Sequence, residues 1–520
     1  MCPVPDYIRD PLSSARCILV IIVAVLFFGC ADQQPSKPNI LIFTVDDMDI
    51  TSVNCYGNPL PGLTPNMDRL ASEGMRFTNA HVSSAICMPC RQSMMTGLHS
   101  HQNGSMGFIE VEEGACPSLS GLLMEHGYYA ASYGKGRDFN AFPWDDFVSW
   151  YGGTEGWHSR KPECYYQSTK KAIRAAKELG KPFFIGVHTT DPHRPFAGSE
   201  QEKEWVERVN KRDGGDVGPY PEVTQFCSPG EVPLLPYLPD LPDIRTETMQ
   251  YLTAVHRGDS TLGRILDLLE EEKVDGETLL IFFSDHDAAM PTAKQNCYRH
   301  GSVTPLMVRW PGKIEKGKVD EEHMVSTLDI MPTILEVAGI PEPEVQDGRS
   351  MLSILEGEKQ EGRDFVFTTY NYIYPGVQVF PMRAIHTREW SYVFNPWSDG
   401  VKKRLQESGQ PTENQSGLTF AAIQEAALTD PAMNERLDYI LHRRRNELFN
   451  LKEDPYSFNN LAEAPEYEPQ LKKMKELMRQ EMERTNDPLL ESLEKGISYP
   501  ERWSMRDDEL IKEIQDKKKN

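Results

Sequence analysis

The 520-residue chain has no run of Lys and Arg long enough to track a phosphate backbone, and Asp plus Glu outnumber Lys plus Arg by 78 to 55, a formal charge of −23. That balance argues against a nucleic-acid binder. An acidic chain can still act on an anionic substrate, provided that it gathers cations locally in a pocket. Neither H-E-x-x-H nor a pair of C-x-x-C elements is present, so the common zinc motifs are missing. There is no internal repeat, and beyond residue 30 no apolar run is long enough to span a bilayer. What remains is a globular composition, 39% hydrophobic and 26% charged, in a chain long enough for one large domain and a smaller one.

Near the N-terminus, "SARCILVIIVAVLFFGC" places Arg16 before an apolar run from Ile18 to Phe28 that ends in Gly29 and Cys30. The run is short for a membrane span and suits the core of a signal peptide, so residues 1–30 read as one. A small residue before Cys30 resembles a bacterial lipoprotein signal, with Cys30 lipidated and the protein exported to the periplasm or cell surface. Ordinary secretion and a retained anchor are the other readings, and Asp6 and Asp10 make the leading segment more acidic than usual. Of ten cysteines, Cys2 and Cys17 leave with such a signal and Cys30 carries lipid. The remaining Cys55, Cys87, Cys90, Cys116, Cys164, Cys227 and Cys297 are odd in number, so an oxidising compartment would leave one thiol unpaired.

From Lys37 onward, apolar strand-like runs alternate with amphipathic helices. "PNILIFTVDDMD" is a buried run that ends in carboxylates. "TPNMDRLASEGMRFTNAH" reads as a helix with Pro65 in its first turn. Three further segments, "SLSGLLMEHGYYAASYGKG", "KKAIRAAKELGKPFFIGVHTTDPHRPF" and "RILDLLEEEKVDGETLLIFFSDHD", repeat helix, turn, strand and polar edge. The pattern predicts an α/β fold with a mainly parallel sheet, whose strand ends "DD", "GK", "DPH" and "SDHD" gather at one edge. Residues 211–245 are rich in Pro and Gly and read as a long ordered excursion over the surface, near the site. "EGEKQEGR" marks a linker, which gives a catalytic domain at 37–360 and a smaller one at 361–520. In the latter, "DFVFTTYN", "RAIHTREWSYVFN" and "NELFNLKEDP" predict a small antiparallel sheet and "PQLKKMKELMRQEMER" a helix. The terminal "QDKKKN" reads as a solvated tail.

The chemistry concentrates at those strand ends. Asp46 and Asp47 form an adjacent pair that reads as a solvated turn when taken alone. Asp285 and His286, after a second apolar run, supply a matching pair. Three carboxylates and an imidazole suit a hard divalent cation such as Ca²⁺ or Mg²⁺, and the imidazole also admits zinc or manganese. "CMPCR" (87–91) contains a single C-x-x-C, which by itself reads as a redox pair at a helix start. The chain is far larger than a redox module, and "RQSMMTG" adds what such a motif lacks.

"CMPCRQSMMTG" resembles the sulfatase signature, C-x-P-x-R followed by x-x-x-x-T-G. The resemblance extends, in order and spacing, through "PNILIFTVDDMD", "GLTPNMDRLASEGMRFTNAH", "GYYAASYGKG", "DPHRPF", "FFSDHD", "TPLMVRWPGKI" and "NELFNLKEDPYSFNNLAE". "CMPCRQSMMTGLHSHQNGSMG" and "HTTDPHRPF" look most like the N-sulfoglucosamine sulfohydrolase branch. The resemblance implies an alkaline-phosphatase-like fold in which a large, mainly parallel sheet lies between helices, with a smaller C-terminal α+β subdomain.

It also implies that Cys87 is converted by a formylglycine-generating enzyme to formylglycine, whose hydrate is the nucleophile. Asp46, Asp47, Asp285 and His286, with the modified Cys87, match the ligands of one Ca²⁺. Arg91 matches the residue that holds the formylglycine and offsets sulfate charge. Lys135 and Lys294 match the cations that grip sulfate, and His193 the acid that protonates the leaving group. The implied substrate is a sulfated saccharide, with the N-sulfate of a terminal glucosamine in heparin- or heparan-type chains as its most specific form.

Three positions depart from the pattern. His286 stands where many members have Asn, Arg137 where the family has a histidine that helps deprotonate the hydrate, and Cys90 where Ser, Ala or Gly is usual. His101, His188 and His300 read equally as structural histidines or pocket residues, His300 with more claim to meet the sugar. The competing functions are O-sulfate removal from another polysaccharide, a phosphodiesterase or phosphonate hydrolase of the same fold, and a non-catalytic glycan-binding lipoprotein.

Overall fold

The computed structural model describes residues 37–149, 159–212, 223–371, 380–400 and 416–498. The expected signal peptide, Cys30, part of the Pro-rich stretch and the terminal "QDKKKN" lie outside the described residues.

The main sheet has eight strands in the order β5-β4-β6-β1-β7-β8-β2-β9. They are β1 (Asn39–Val45), β2 (Met75–Phe77), β4 (Tyr129–Gly134), β5 (Asp146–Ser149), β6 (Phe183–His188), β7 (Thr278–Ser284), β8 (Leu306–Arg309) and β9 (Lys318–Asp320). The five from β5 to β7 are parallel, and β8 runs antiparallel to both β7 and β2. A two-stranded ladder, β3 (Ala80–His81) with β10 (Val325–Ser326), lies apart from it.

Alternation along the central strands explains the layering. Leu41, Phe43 and Val45 of β1 face one core while Ile40 and Ile42 face another. Phe282 and Phe283 of β7 divide in the same way. The first core is covered by α1 (Pro65–Glu73), α4 (Pro162–Glu178) and the long α5 (Pro242–Glu271). The second is covered by α2 (Cys87–Thr96), α3 (Leu119–Glu125) and α6 (Ile330–Val337). The sheet is thus sandwiched between helices, as expected.

The helix expected to run on from Pro65 stops at Glu73. At Gly74 the chain presses against β8, where a Cβ would stand 2.3 Å from the Val308 carbonyl oxygen, and Met75–Phe77 then pairs with β8. The excursion's described part packs inward, with Val232, Leu235, Tyr237 and Leu238 buried in the first core.

In the C-terminal region, β11 (Phe365–Tyr370), β12 (Met382–Thr387), β13 (Trp390–Phe394) and β14 (Asn446–Asn450) form an antiparallel sheet in sequence order. The stretch "RAIHTREWSYVFN" makes two of these strands joined by a tight hairpin. Helices α7 (Leu418–Ala426) and α8 (Pro431–Leu441) precede β14, and α9 (Glu468–Arg484) follows it. Met474, Met478 and Met482, spaced by four, place one stripe of α9 against Ile385, Tyr392 and Leu448 of the sheet.

Among the described residues no disulfide joins any two of the seven cysteines, so the three pairs that an oxidised pairing requires are not formed. They sit in separate environments. Cys164 belongs to the first core and Cys297 to a cluster under the small sheet, while Cys87 and Cys90 share one helix. No described helix is long and apolar enough to cross a membrane.

Candidate active site

Four adjacent parallel strands, β4, β6, β1 and β7, deliver their C-terminal ends to one edge, and the predicted residues follow directly. Asp46 and Asp47 succeed β1, Lys135 succeeds β4, the loop bearing His193 succeeds β6, and Asp285 with His286 succeeds β7. Asp47 adopts φ 68°, a left-handed conformation costly for a non-glycine residue. That bend lets two successive carboxylates serve one point instead of opposite faces. The Asp47 amide donates to Asp285 Oδ1 at 3.2 Å and the Asp285 amide to the Val45 carbonyl at 3.4 Å, which ties the two strand ends together.

Cys87 is the first residue of α2, and its Sγ lies 3.1 Å from His286 Nε2. One oxygen each from Asp46 and Asp47, the Cys87 sulfur and a His286 nitrogen all fall within 4.8 Å of one another, every residue buried. Burial pushes the Cys87 thiol well up, the attraction of Lys294 notwithstanding, and Cys90 is pushed up by burial as well. Cys90 Sγ instead contacts Thr327 Oγ1 at 3.8 Å. Neither thiol has the lowered pKa of a redox pair.

Arg91 is fully buried and saturated. Its Nε donates to Asp285 Oδ2 at 3.0 Å and stands 3.4 Å from Asp138 Oδ2. Its remaining nitrogens reach Thr44, the Val45 carbonyl and, at 3.8 Å, Asp46 Oδ1. The guanidinium therefore clamps the carboxylates from behind. Lys135 Nζ pairs with Asp46, and Lys294 Nζ donates to both oxygens of Asp47 at 2.9 and 3.0 Å. Thr292 (φ 70°) and Gln295 (φ 62°) flank Lys294 in left-handed conformations, so this loop too is held against its local preference.

Burial alone would raise the Asp46 carboxyl, but Lys135, His193, Arg91 and Lys294 together hold it well below the usual range. For Asp47 burial wins over Lys294, His193 and His286, and its pKa is raised. His193 is the one predicted residue that is only half-buried. Its burial and Lys294 press its pKa down, while Asp47 and Asp46 press it up and prevail. Its Nδ1 donates to the Arg194 carbonyl, which fixes the tautomer, and its own carbonyl accepts from Arg160 Nη2 at 2.8 Å.

The structure brings all nine predicted residues to this edge. Asp285 stands slightly outside the tight cluster, its Oδ1 3.7 Å from His286 Nε2. Arg137 turns away: it is exposed, its guanidinium 5.7 Å from the Phe108 ring centroid. His300 is buried between Tyr237 and Tyr298, not facing a pocket. His188 lies behind Arg91, joined to it through Thr44. His101 stacks on His99 near Asp487.

Sequence reasoning missed Asp138, although it lies three residues after Lys135. It also missed the Asp191 carboxylate, gripped by Arg160 and by Arg257 at 2.6 Å. Oδ1 of buried Asp46 lacks a hydrogen bond, and with Asp47, Asp285 and His286 beside it the donor set fits a divalent cation.

A family model described as Sulfatase matches residues 38–340, more than half of the chain, and one described as N-sulphoglucosamine sulphohydrolase, C-terminal, matches 292–403. The human protein N-sulphoglucosamine sulphohydrolase is 28% identical over 511 residues, covering 94% of this chain and 95% of that protein. An ulvan-active sulfatase of Formosa agariphila is 27% identical over 88% of this chain and 82% of its own length. A structure solved in complex with its substrate D-glucosamine-2-N,6-O-disulfate superposes with a TM-score of 0.62 at 19% identity, covering 87% of this chain and 99% of the other.

Proposed function

The chain belongs to the sulfatase family, hydrolases of sulfate esters or sulfamates; from that premise we propose that it acts on sulfated saccharides and removes the N-sulfate of a terminal glucosamine in heparin- or heparan-type chains, using formylglycine made from Cys87. The observation that carries the reading is the end-to-end similarity to N-sulphoglucosamine sulphohydrolase, including the separate match at 292–403.

A divalent cation, Ca²⁺ in this reading, held by Asp46, Asp47, Asp285 and His286, would supply positive charge that favours an ionised nucleophile and offsets sulfate oxygens. The chain's own groups do the rest. Placed at the first turn of α2, residue 87 receives the partial positive charge of that helix terminus. Lys135 and Lys294, buried beside Asp46 and Asp47, present ammonium groups where an anionic sulfate docks. His193, half-buried and drawn toward its protonated form by the two aspartates, is placed to give a proton to the departing amine. Arg91 keeps Asp46 and Asp285 in place; its contacts are consumed by them.

O-sulfate removal is the second reading, favoured by similarity to an N-acetylglucosamine-6-O-sulfatase of Bacteroides thetaiotaomicron, 24% identical over 93% of this chain and 94% of that protein. The deciding experiment has two parts. Mass spectrometry of the peptide spanning Cys87, from protein co-produced with a formylglycine-generating enzyme, should show H₂S exchanged for O at Cys87 with Cys90 unchanged. The converted protein should then release sulfate from glucosamine N-sulfate faster than from glucosamine 6-O-sulfate. The reverse preference selects the second reading, and an unconverted Cys87 removes the formylglycine mechanism. Export with a lipid on Cys30 is part of the proposal, and fatty-acid labelling of the wild-type chain but not of Cys30→Ala tests it.

A further inference from the structure

Before any conversion, residue 87 is a thiol, and the donors around it are no longer those that calcium prefers. We propose that the unconverted chain is a zinc protein, binding one Zn²⁺ through Asp46, Asp47, Cys87 and His286. The zinc site concerns the thiol form and stands whether or not Cys87 is ever modified.

The donor types come first. Calcium takes six to eight oxygens, whereas here two carboxylates are joined by one sulfur and one imidazole, the mixed set that suits zinc. The spacing agrees. A tetrahedral zinc with its usual bond lengths separates neighbouring ligand atoms by about 3.3–3.6 Å. Cys87 Sγ is 3.1 Å from His286 Nε2, and that nitrogen is 3.4 Å from Asp47 Oδ1. All four donors lie within 4.8 Å of one another, so a cation fits with small adjustments.

The imidazole is also oriented for the task. His286 Nδ1 donates to the Asp287 carbonyl at 2.9 Å, so the lone pair belongs to Nε2, the nitrogen that faces the sulfur. The fourth observation is independent of these: Asp46 is wholly buried, its Oδ1 receives no hydrogen bond, and its Oδ2 faces the Lys135 ammonium. Zinc bound here carries two carboxylates and one thiolate, a net single negative charge, and Lys135 and Lys294 already stand beside Asp46 and Asp47 to balance it. On binding, the Sγ–H bond gives way to Sγ–Zn and the proton leaves to solvent.

Residue 87 thus selects the metal. A thiol makes the site zinc-preferring; an oxygen in its place, as the formylglycine reading requires, returns it to hard cations.

The test uses the full chain produced without a formylglycine-generating enzyme and checked by mass for an intact Cys87 thiol. Metal analysis after dialysis against Zn²⁺ should give one zinc per chain, retained against excess Ca²⁺. Loading with Co²⁺ should give a thiolate-to-cobalt charge-transfer band in the near ultraviolet. Cys87→Ser should abolish that band and weaken Zn²⁺ binding by at least ~100-fold, the upper end of what even an outer-shell change costs. Cys90→Ser, whose thiol contacts Thr327 and not the cluster, should keep both and serves as the folding control. Displacement of zinc by equimolar Ca²⁺, or a band that survives Cys87→Ser or vanishes in Cys90→Ser, would overturn the assignment.

Discussion

Arg194 and Glu247 form a buried ion pair, Nη1 to Oε1 at 2.6 Å, between the loop that bears His193 and the long helix α5. Arg194 also donates to the Ala289 carbonyl at 3.0 Å, just beyond His286, and lies over the Phe196 ring. Glu247 accepts the amides of Leu418 and Thr419 at the start of α7. One pair therefore fastens the proposed acid, the segment after β7 and the C-terminal helices. Glu247→Gln leaves the guanidinium buried without its counter-charge, and breaking such a pair costs about 3–5 kcal/mol. Denaturant unfolding should show that loss. Kinetics of the surviving folded enzyme should show kcat falling more than KM rises, because His193 is loosened while the sulfate cations stay. An unchanged kcat would mean that the pair serves stability alone.

Lys294 offers a separation of charge neutralisation from catalysis. Its ammonium holds both oxygens of Asp47. Replacing it with Met removes a cation that the proposed mechanism aims at the sulfate, and losing a donor of this kind typically costs about 10²–10³ in kcat. The same change frees Asp47 for a metal, so divalent-cation affinity measured by calorimetry should stay level or rise. Loss of metal binding along with activity would show that Lys294 acts by shaping the cluster instead.

What the sequence revealed and what it hid divide along a physical line. Buried runs such as "NILIFTV" and "TLLIFFS" announce central parallel strands, and a carboxylate after each marks the ligand edge. Cys87, Arg91 and Lys135 were legible because each sits within a short local pattern. Arg194–Glu247 was not, since its members are 53 residues apart, and Asp191–Arg257 was not at 66. An ion pair across a fold has no periodicity to betray it. Helix α1 ended early for a related reason: the stop is imposed by β8 against Gly74, a contact more than two hundred residues away in sequence.

Acid should weaken the fold through its buried imidazoles. His99, His300 and His386 are buried and neutral, each pushed down to about 3, by burial first and then by neighbouring cations and imidazoles. In the unfolded chain they bind protons near pH 6.5. Below that pH the unfolded state takes up protons that the folded state refuses, so the stability they contribute is complete above about 6.5 and is lost as pH falls toward 3. Each contributes a slope of up to ~1.4 kcal/mol per pH unit in that window. Urea midpoints from pH 8 to 4 should stay level above 6.5 and then decline. His300→Gln should flatten the decline if it folds, and a flat profile across the whole range would refute the assignment.

Arg137 and Asp138 make the last contrast. Arg137 stands where the resemblance leads one to expect a histidine, yet it is exposed and directed at Phe108. Arg137→Ala should therefore leave kcat/KM within ~3-fold, since exposed side chains away from such features rarely matter by more than about 0.5 kcal/mol. Asp138 is buried with Oδ2 lacking a hydrogen-bond donor and 3.4 Å from Arg91 Nε, so it fixes the arginine that clamps Asp46 and Asp285. Asp138→Asn keeps the shape and removes that charge. Its effect should resemble the loss of an outer-shell partner, ~10–100-fold in metal affinity, with activity following. If saturating metal restores kcat in Asp138→Asn, the residue acts through the cluster. If it does not, and Arg137→Ala instead abolishes kcat, then the arginine loop moves inward on substrate binding and supplies positive charge itself.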